Sequence, residues 1–254
     1  MARASFGRFT ETPLSSHDQV AQVLGSEILS GVYPPGAKLP SEADILARFG
    51  VSRTVLREAF KTLTAKGLIV SKTRVGTTVL DSAHWNYFDA DVLSWKVGME
   101  VFDRAFLHDL AEIRMAIEPA AAAAAARRRT AEDVADLRRI LARMAAATSN
   151  ARDFAEADLA FHKVVGHASG NTLMRSLAAV IETALLASFR LSSPVREADV
   201  HTASVSGHGR IVDAIEAGDA AGAADAMRDI IGHGLSRIDR AMTMAPDAET
   251  MNVR

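Results

Sequence analysis

Cysteine is absent from all 254 residues. That excludes disulfides, thiolate nucleophiles and Cys-ligated zinc, and it fits a reducing cytoplasm. No apolar run reaches the ~20 residues that a bilayer span requires, so no membrane partner is expected. Residues 1–10 include basic side chains but no apolar h-region, so residues 1–13 read as a short disordered extension and not as a secretory signal. No P-loop, HExxH or Ser/His/Asp signature is present, which removes the commonest sequence routes to catalysis. A strong net charge is missing too: the chain carries only −2.

What is present is unevenly distributed. Residues 1–80 hold ten Lys/Arg and six Asp/Glu, a balance of +4, which leaves −6 for the remainder. A basic first third on an acidic body suggests that this third alone meets a polyanion, although a solvated surface could show the same split. About half of the residues (48%) are apolar, enough for a sizeable core in one large domain or two ordinary ones.

Helical periodicity begins near Ser16, with Val20, Val23, Leu24 and Ile28 on one face. Gly31 ends it, and Pro34-Pro35-Gly36 turns the chain. Ser41 is a good N-cap for a short second helix, with Asp44 placed to complete a capping box and Ile45, Leu46 and Phe49 facing inward. Gly50 ends that helix, and Ser52 caps a third, Arg53 to Lys66. One face of the third helix is apolar (Val55, Leu56, Ala59, Phe60, Leu63). Arg53, Arg57 and Lys61 recur every four residues as a cationic row on the opposite side. Gly67 is followed by a β-prone run at Leu68-Ile69-Val70, a turn at 73–76 and a second strand at Thr77–Leu80. Three helices and a hairpin, with the third helix basic, spell a winged helix-turn-helix over 14–81.

A basic helix fits the major groove of double-stranded DNA, where arginine can bond two acceptors of guanine at once. Arg53 and Arg57 lie one turn apart near the helix N-terminus, the place from which a recognition helix reads bases. Lys61, Lys72 and Arg74 are better placed for phosphates. Ser41, Ser52, Thr54 and Gly76 complete the expected DNA-facing set. An exposed charged face is the alternative for a lone RxxxR; the capped helix before it and the wing after it favour DNA.

Residues 82–98 form a joining segment that contains both tryptophans (Trp85 and Trp95) and is too apolar for a free linker. From about 103 the pattern is helical, with helices expected at 103–127, 130–147, 152–168, 171–191, 200–217 and 219–242. Thr130 with Asp133 makes a capping box, and residues 246–254 read as a frayed tail. The expected fold class is mainly α: a winged helix-turn-helix followed by an antiparallel helical bundle at 99–245.

The sequence resembles the GntR superfamily of bacterial regulators. The resemblance rests on Leu39-Pro40-Ser41-Glu42, Val51 to Ala59, Gly67-Leu68-Ile69 and Val75-Gly76-Thr77. The second part resembles the FCD effector domain of the FadR-type branch, through Glu112-Ile113-Arg114 with Glu118, Asp158 to His162, and Gly207-His208. The segment Trp85 to Trp95 is similar to that of galactonate-operon repressors. One departure is Ala43, where many members carry an arginine that contacts DNA.

Asp158 and His162 are four residues apart, so they share one face of a helix. With His208 they could bind a divalent metal, zinc first, nickel or manganese as alternatives; an ordinary i,i+4 pair and a satisfied histidine would read the same. The resemblance implies an Asp and three His, but the fourth position is Ile230 here. His233 lies three residues on, about 60° round and about 4.5 Å along an ideal helix, so it can substitute only if the helix shifts. Arg114 is implied to line the same cavity, as a bidentate clamp on an effector carboxylate or as the internal partner of Glu118. His17, His84, His108, His167 and His201 show no partner pattern.

These readings imply a sequence-specific regulator, a repressor, that binds a pseudopalindromic operator as a homodimer and responds to a small carboxylate such as an aldonate. Another hydroxy acid or dicarboxylate is the alternative ligand. A metal-dependent hydrolase and a sequence-indifferent nucleoid protein are the alternative classes; +4 on one domain argues against the latter.

Overall fold

The structure is a computed structural model that describes residues 14–72, 76–98, 103–191 and 193–244. Arg74, the extension at 1–13 and the tail at 246–254 lie outside the described residues. The chain divides into two compact units, 1–102 and 103–254.

In the first unit, α1 (Ser16–Leu29), α2 (Glu42–Phe49) and α3 (Arg53–Ala65) precede an antiparallel hairpin of β1 (Ile69–Lys72) and β2 (Gly76–Val79). The caps follow the sequence. Ser15, Ser41 and Ser52 each accept a backbone N–H in the first turn, and Gly50 closes α2 in the left-handed conformation. Val20, Leu24 and Ile28 are buried as expected, whereas Val23 is exposed. They meet Ile45, Leu56, Phe60, Leu63 and Ile69 in one core. The hairpin has a short third partner that the sequence did not announce. Lys38 bridges Thr78, and Leu39 N–H donates to the Thr77 carbonyl, so the turn before α2 braces the wing.

The joining segment is folded onto this unit. After a 3₁₀ turn at Ser82–His84, α4 (Ala90–Gly98) packs on α1. Trp95 is buried so tightly that a Cβ at Gly25 would lie 2.3 Å from its ring. Trp85 Nε1 donates to the Leu80 carbonyl, and Asn86 N–H donates to the carbonyl of Lys66, the C-cap of α3. Lys66 is itself buried. Its ammonium donates to Asp89 and Asp91 at 2.6 and 2.7 Å and lies 5.5 Å from the Trp95 ring centre. A buried ammonium needs such partners, because desolvation otherwise costs several kcal/mol.

The second unit is entirely helical among its described residues: α5 (Arg104–Arg128), α6 (Ala131–Ala146), α7 (Ala151–Ala168), α8 (Thr172–Ser176), α9 (Ala178–Leu191), α10 (Ala198–Ala217) and α11 (Ala220–Met244). The Thr130–Asp133 capping box is formed in both directions. The helix expected at 171–191 is interrupted at Leu177, so it is two elements. Asn171 caps only the first of them. α5 continues through Pro119, which is buried, without ending there. α5 packs against α7, α9, α10 and α11, and this contact set places the site described next. No described helix is long and apolar enough to cross a membrane.

Candidate functional site

On α3, Arg53, Thr54, Arg57 and Lys61 are all exposed, opposite the buried Leu56, Ala59, Phe60 and Leu63. Lys61 Nζ pairs with Glu58 at 2.7 Å, which ties down part of the cationic row. Arg53 and Arg57 have no ion-pair partner among the described residues, so their forks are available. The Ser41 and Ser52 hydroxyls are engaged as helix caps. Lys72 is exposed at the end of β1, and Gly76 opens β2 with φ of +97°.

The second unit encloses a cavity of about 770 Å³ between α5, α7, α9, α10 and α11. Its floor carries Asp158 and His162 from α7 and His208 from α10, exposed by 5%, 2% and 1%. One ligand atom from each of the three lies within 4.8 Å of the others. His208 Nδ1–H donates to the Ser204 carbonyl at 2.8 Å, which turns Nε2 toward Asp158 Oδ1, 2.8 Å away. On the other ring, Nδ1 of His162 touches Glu118 Oε2 as an ion pair without hydrogen-bond alignment. Its Nε2 lies 3.8 Å from Asp158 Oδ1. Phe161 stands edge-on to both imidazoles and limits their rotation.

Asp158 Oδ1, His162 Nε2 and His208 Nε2 are therefore buried together with no hydrogen-bond partner. Buried polar atoms left in this way cost about 1–3 kcal/mol each, and three acceptor atoms converging on one point suit a divalent cation. The outer contacts are also those of a metal centre: a carbonyl fixes one histidine and a carboxylate meets the other.

Glu118 holds a double position. Its second oxygen accepts from Arg114 Nε at 2.5 Å. Burial alone would raise its carboxyl, but the charges of Arg114 and His162 overcome that and carry it down to about 2. Burial opposes ionisation of Asp158 as well, and His208 beside it brings the carboxyl below its ordinary value. Both carboxylates are thus held as anions in an apolar setting. Arg114 both pairs with Glu118, the internal reading from sequence, and lines the cavity.

His233 lines the cavity but is exposed and lies outside the three-residue group. Ile230, at the fourth position, is seated on α10: a Cβ at Gly207 would lie 2.3 Å from its Cδ1. Sequence reading missed Arg237, which also lines the cavity. The signal was there, since Ile230, His233, Gly234 and Arg237 follow the i, i+3, i+4, i+7 spacing of one helix face. His201 is a satisfied core histidine, its Nε2 bonded to the Met144 carbonyl.

A winged unit with a free arginine row, followed by a helical unit built around a cavity with buried polar groups on its floor, defines a DNA-binding transcriptional regulator with a small-molecule domain. Residues 16–79 match the bacterial regulatory proteins of the gntR family, and residues 109–233 match the FCD domain. The chain belongs to the GntR family, in the FadR-type group that carries an FCD domain; this is a family of regulators and not of enzymes. It is 38% identical over 200 residues to the HTH-type transcriptional regulator YieP of Escherichia coli K12, covering 77% of this chain and 84% of that one. It is 34% identical over 210 residues to the galactonate operon transcriptional repressor of the same organism (82% and 91% covered). It is 31% identical over 220 residues to that organism's putative L-lactate dehydrogenase operon regulatory protein (85% and 83%).

Proposed function

We propose that this chain is a repressor whose helical domain binds a small hydroxylated carboxylate, a sugar acid such as an aldonate, at a divalent-metal centre, and that binding releases the operator. The observation that carries the reading is the buried set Asp158 Oδ1, His162 Nε2 and His208 Nε2, which no aligned hydrogen bond satisfies, on the floor of a cavity large enough for such an acid. Zinc suits two imidazoles and one carboxylate, with nickel or manganese as the alternatives. Three protein ligands leave positions at the ion for oxygen atoms of the effector. Arg114 adds a fixed fork at the cavity wall, anchored through its Nε to Glu118. Similarity to a galactonate operon repressor supports a sugar acid. Similarity to a lactate operon regulator supports the second reading, a shorter hydroxy acid.

Calorimetry on metal-replete protein tests this. At least one aldonate is expected to bind and to weaken operator binding by the same factor as operator weakens aldonate binding, since linkage is reciprocal. No heat from any aldonate, uronate or hydroxy acid would sink the proposal.

On DNA, Arg53 and Arg57 read base edges, while Lys61, Lys72 and Arg74 hold phosphates. Ser41, Ser52, Thr54 and Gly76 lie alongside. Two winged units in a homodimer double the readout on a pseudopalindromic operator. Arg57→Ala is expected to cost about 1–3 kcal/mol and to relax preference at one base pair. Lys72→Ala is expected to weaken binding to every sequence alike and to lower the salt slope by about one. Fluorescence anisotropy over a salt series separates the two; unchanged preference in Arg57→Ala removes the groove assignment.

A further inference from the structure

Arg237 is a half-buried cation in the cavity wall that the metal centre and its supports leave unused. It projects from α11 on the same face as Ile230 and Gly234. Its Nε is buried and has no hydrogen-bond partner. No acidic side chain lies within ion-pair distance of it among the described residues. Of the other charged groups, Arg114 pairs with Glu118, Glu118 meets both Arg114 and His162, and Asp158 lies against the two histidines, while Asp199 and Arg240 line the cavity as exposed side chains. Arg210, near the rim, is paired with Asp229 at 3.1 Å.

A guanidinium whose Nε gives up water without gaining a partner is a standing cost to the ligand-free protein. Burial pulls Arg237 below its ordinary value; Asp158 opposes this and Arg240 adds to it. Such a group persists where the missing anion arrives with a ligand. Its planar fork fits a carboxylate, which can accept two parallel hydrogen bonds.

We propose that Arg237 is the carboxylate anchor of the cavity, receiving the acid group of the effector while its hydroxyl oxygens are left to the metal centre. This rests on the reading of the second unit as an acid-binding domain and names the residue and the functional group that make the contact. Arg114, already held by Glu118, is then an auxiliary fork at the wall.

The experiment uses the full-length, metal-replete protein and the variants Arg237→Gln, Arg237→Lys and, as a control on an exposed part of α11, Arg228→Gln. The probes are D-galactonate, D-gluconate and L-lactate, each beside its neutral amide, read by thermal shift and calorimetry. Without ligand, Arg237→Gln is expected to melt at or above the wild-type temperature, because a buried unpaired charge has been removed. With the acid that binds wild type, Arg237→Gln is expected to lose about tenfold or more in affinity, Arg237→Lys less, and Arg228→Gln nothing. The neutral amides are expected to bind wild type and Arg237→Gln equally weakly.

A clear fall in ligand-free melting temperature for Arg237→Gln would make the residue structural and overturn the assignment. So would an Arg237→Gln variant that binds the acid as wild type does, which leaves the sugar-acid reading standing. If L-lactate binds and the aldonates do not, the sugar-acid reading falls while loss of lactate in Arg237→Gln still supports the anchor. If no carboxylate binds wild type, both fall.

Discussion

His208→Ala is expected to lower divalent-metal affinity by at least about a hundredfold. In metal-binding sites, changes to the groups that merely orient the ligands already cost about 10–100-fold, and His208 is one of three residues that, among those described, bring a ligand atom to the site. Its Nδ1 is spent on the Ser204 carbonyl, so Nε2 is the ring atom that faces the ion site. Competition with a chromogenic chelator measures the loss, with circular dichroism confirming the fold. Two companion variants make the result specific. Glu118→Gln removes the carboxylate against His162 Nδ1 and is expected to cost about 10–100-fold. His233→Ala is expected to change affinity by less than about twofold, because His233 stands exposed and apart from the group; the comparison is with the full loss of a ligand. A large loss in His233→Ala together with a small one in His208→Ala would reassign the centre.

Gly67→Ala is expected to unfold much of the margin of the DNA-binding unit, at about 2–5 kcal/mol. Two costs combine. Gly67 has φ of +75°, a conformation that charges a Cβ roughly 1–2 kcal/mol. That Cβ would also lie 2.1 Å from the backbone carbonyl oxygen of His84. A backbone atom cannot swing aside as a side-chain tip can, so relief means moving the joining segment off α3, at about 1–3 kcal/mol or more. Gly36 supplies the control. Its φ is +82° but nothing lies within 4 Å of its would-be Cβ, so Gly36→Ala is expected to show only the conformational cost of roughly 1–2 kcal/mol. Denaturant melts of both variants isolate the contact by difference. Equal losses would show that the joining segment is not seated on α3 in solution.

The seating of that segment separates local from distant information. That residues 82–98 would pack against protein was legible in their apolar content. That Lys66, the last cap of α3, would be drawn inward to meet Asp89 and Asp91 was not, because three residues spread over two dozen positions converge only when α4 lies on α1. The wing shows the same limit. β1 and β2 were legible from β-prone runs around a turn, whereas the bridge from Lys38 to Thr78 joins positions forty apart and leaves no periodic trace. At the candidate metal centre, Asp158 and His162 share a helix face by spacing alone. Glu118, placed in sequence beside Arg114, turned out to touch His162 as well, because α5 and α7 cross at that level.

By itself the sequence determined the capped helices of the DNA-binding unit, the outward cationic row on α3, the Thr130–Asp133 box and the helical character of the described part of the second unit. All of these are settled within one or two turns of chain, by caps, by the 3.6-residue period and by glycines where the backbone must turn. Only the tertiary structure decided which polar side chains share the cavity, that Ile230 packs on Gly207 while His233 stays outside the metal group, and that Arg237 is left without an acid. Those outcomes depend on how five helices, contributing residues from 114 to 240, are rotated against one another. Rotation of a helix about its axis is set by the sum of its packing contacts, and no short window of sequence contains that sum.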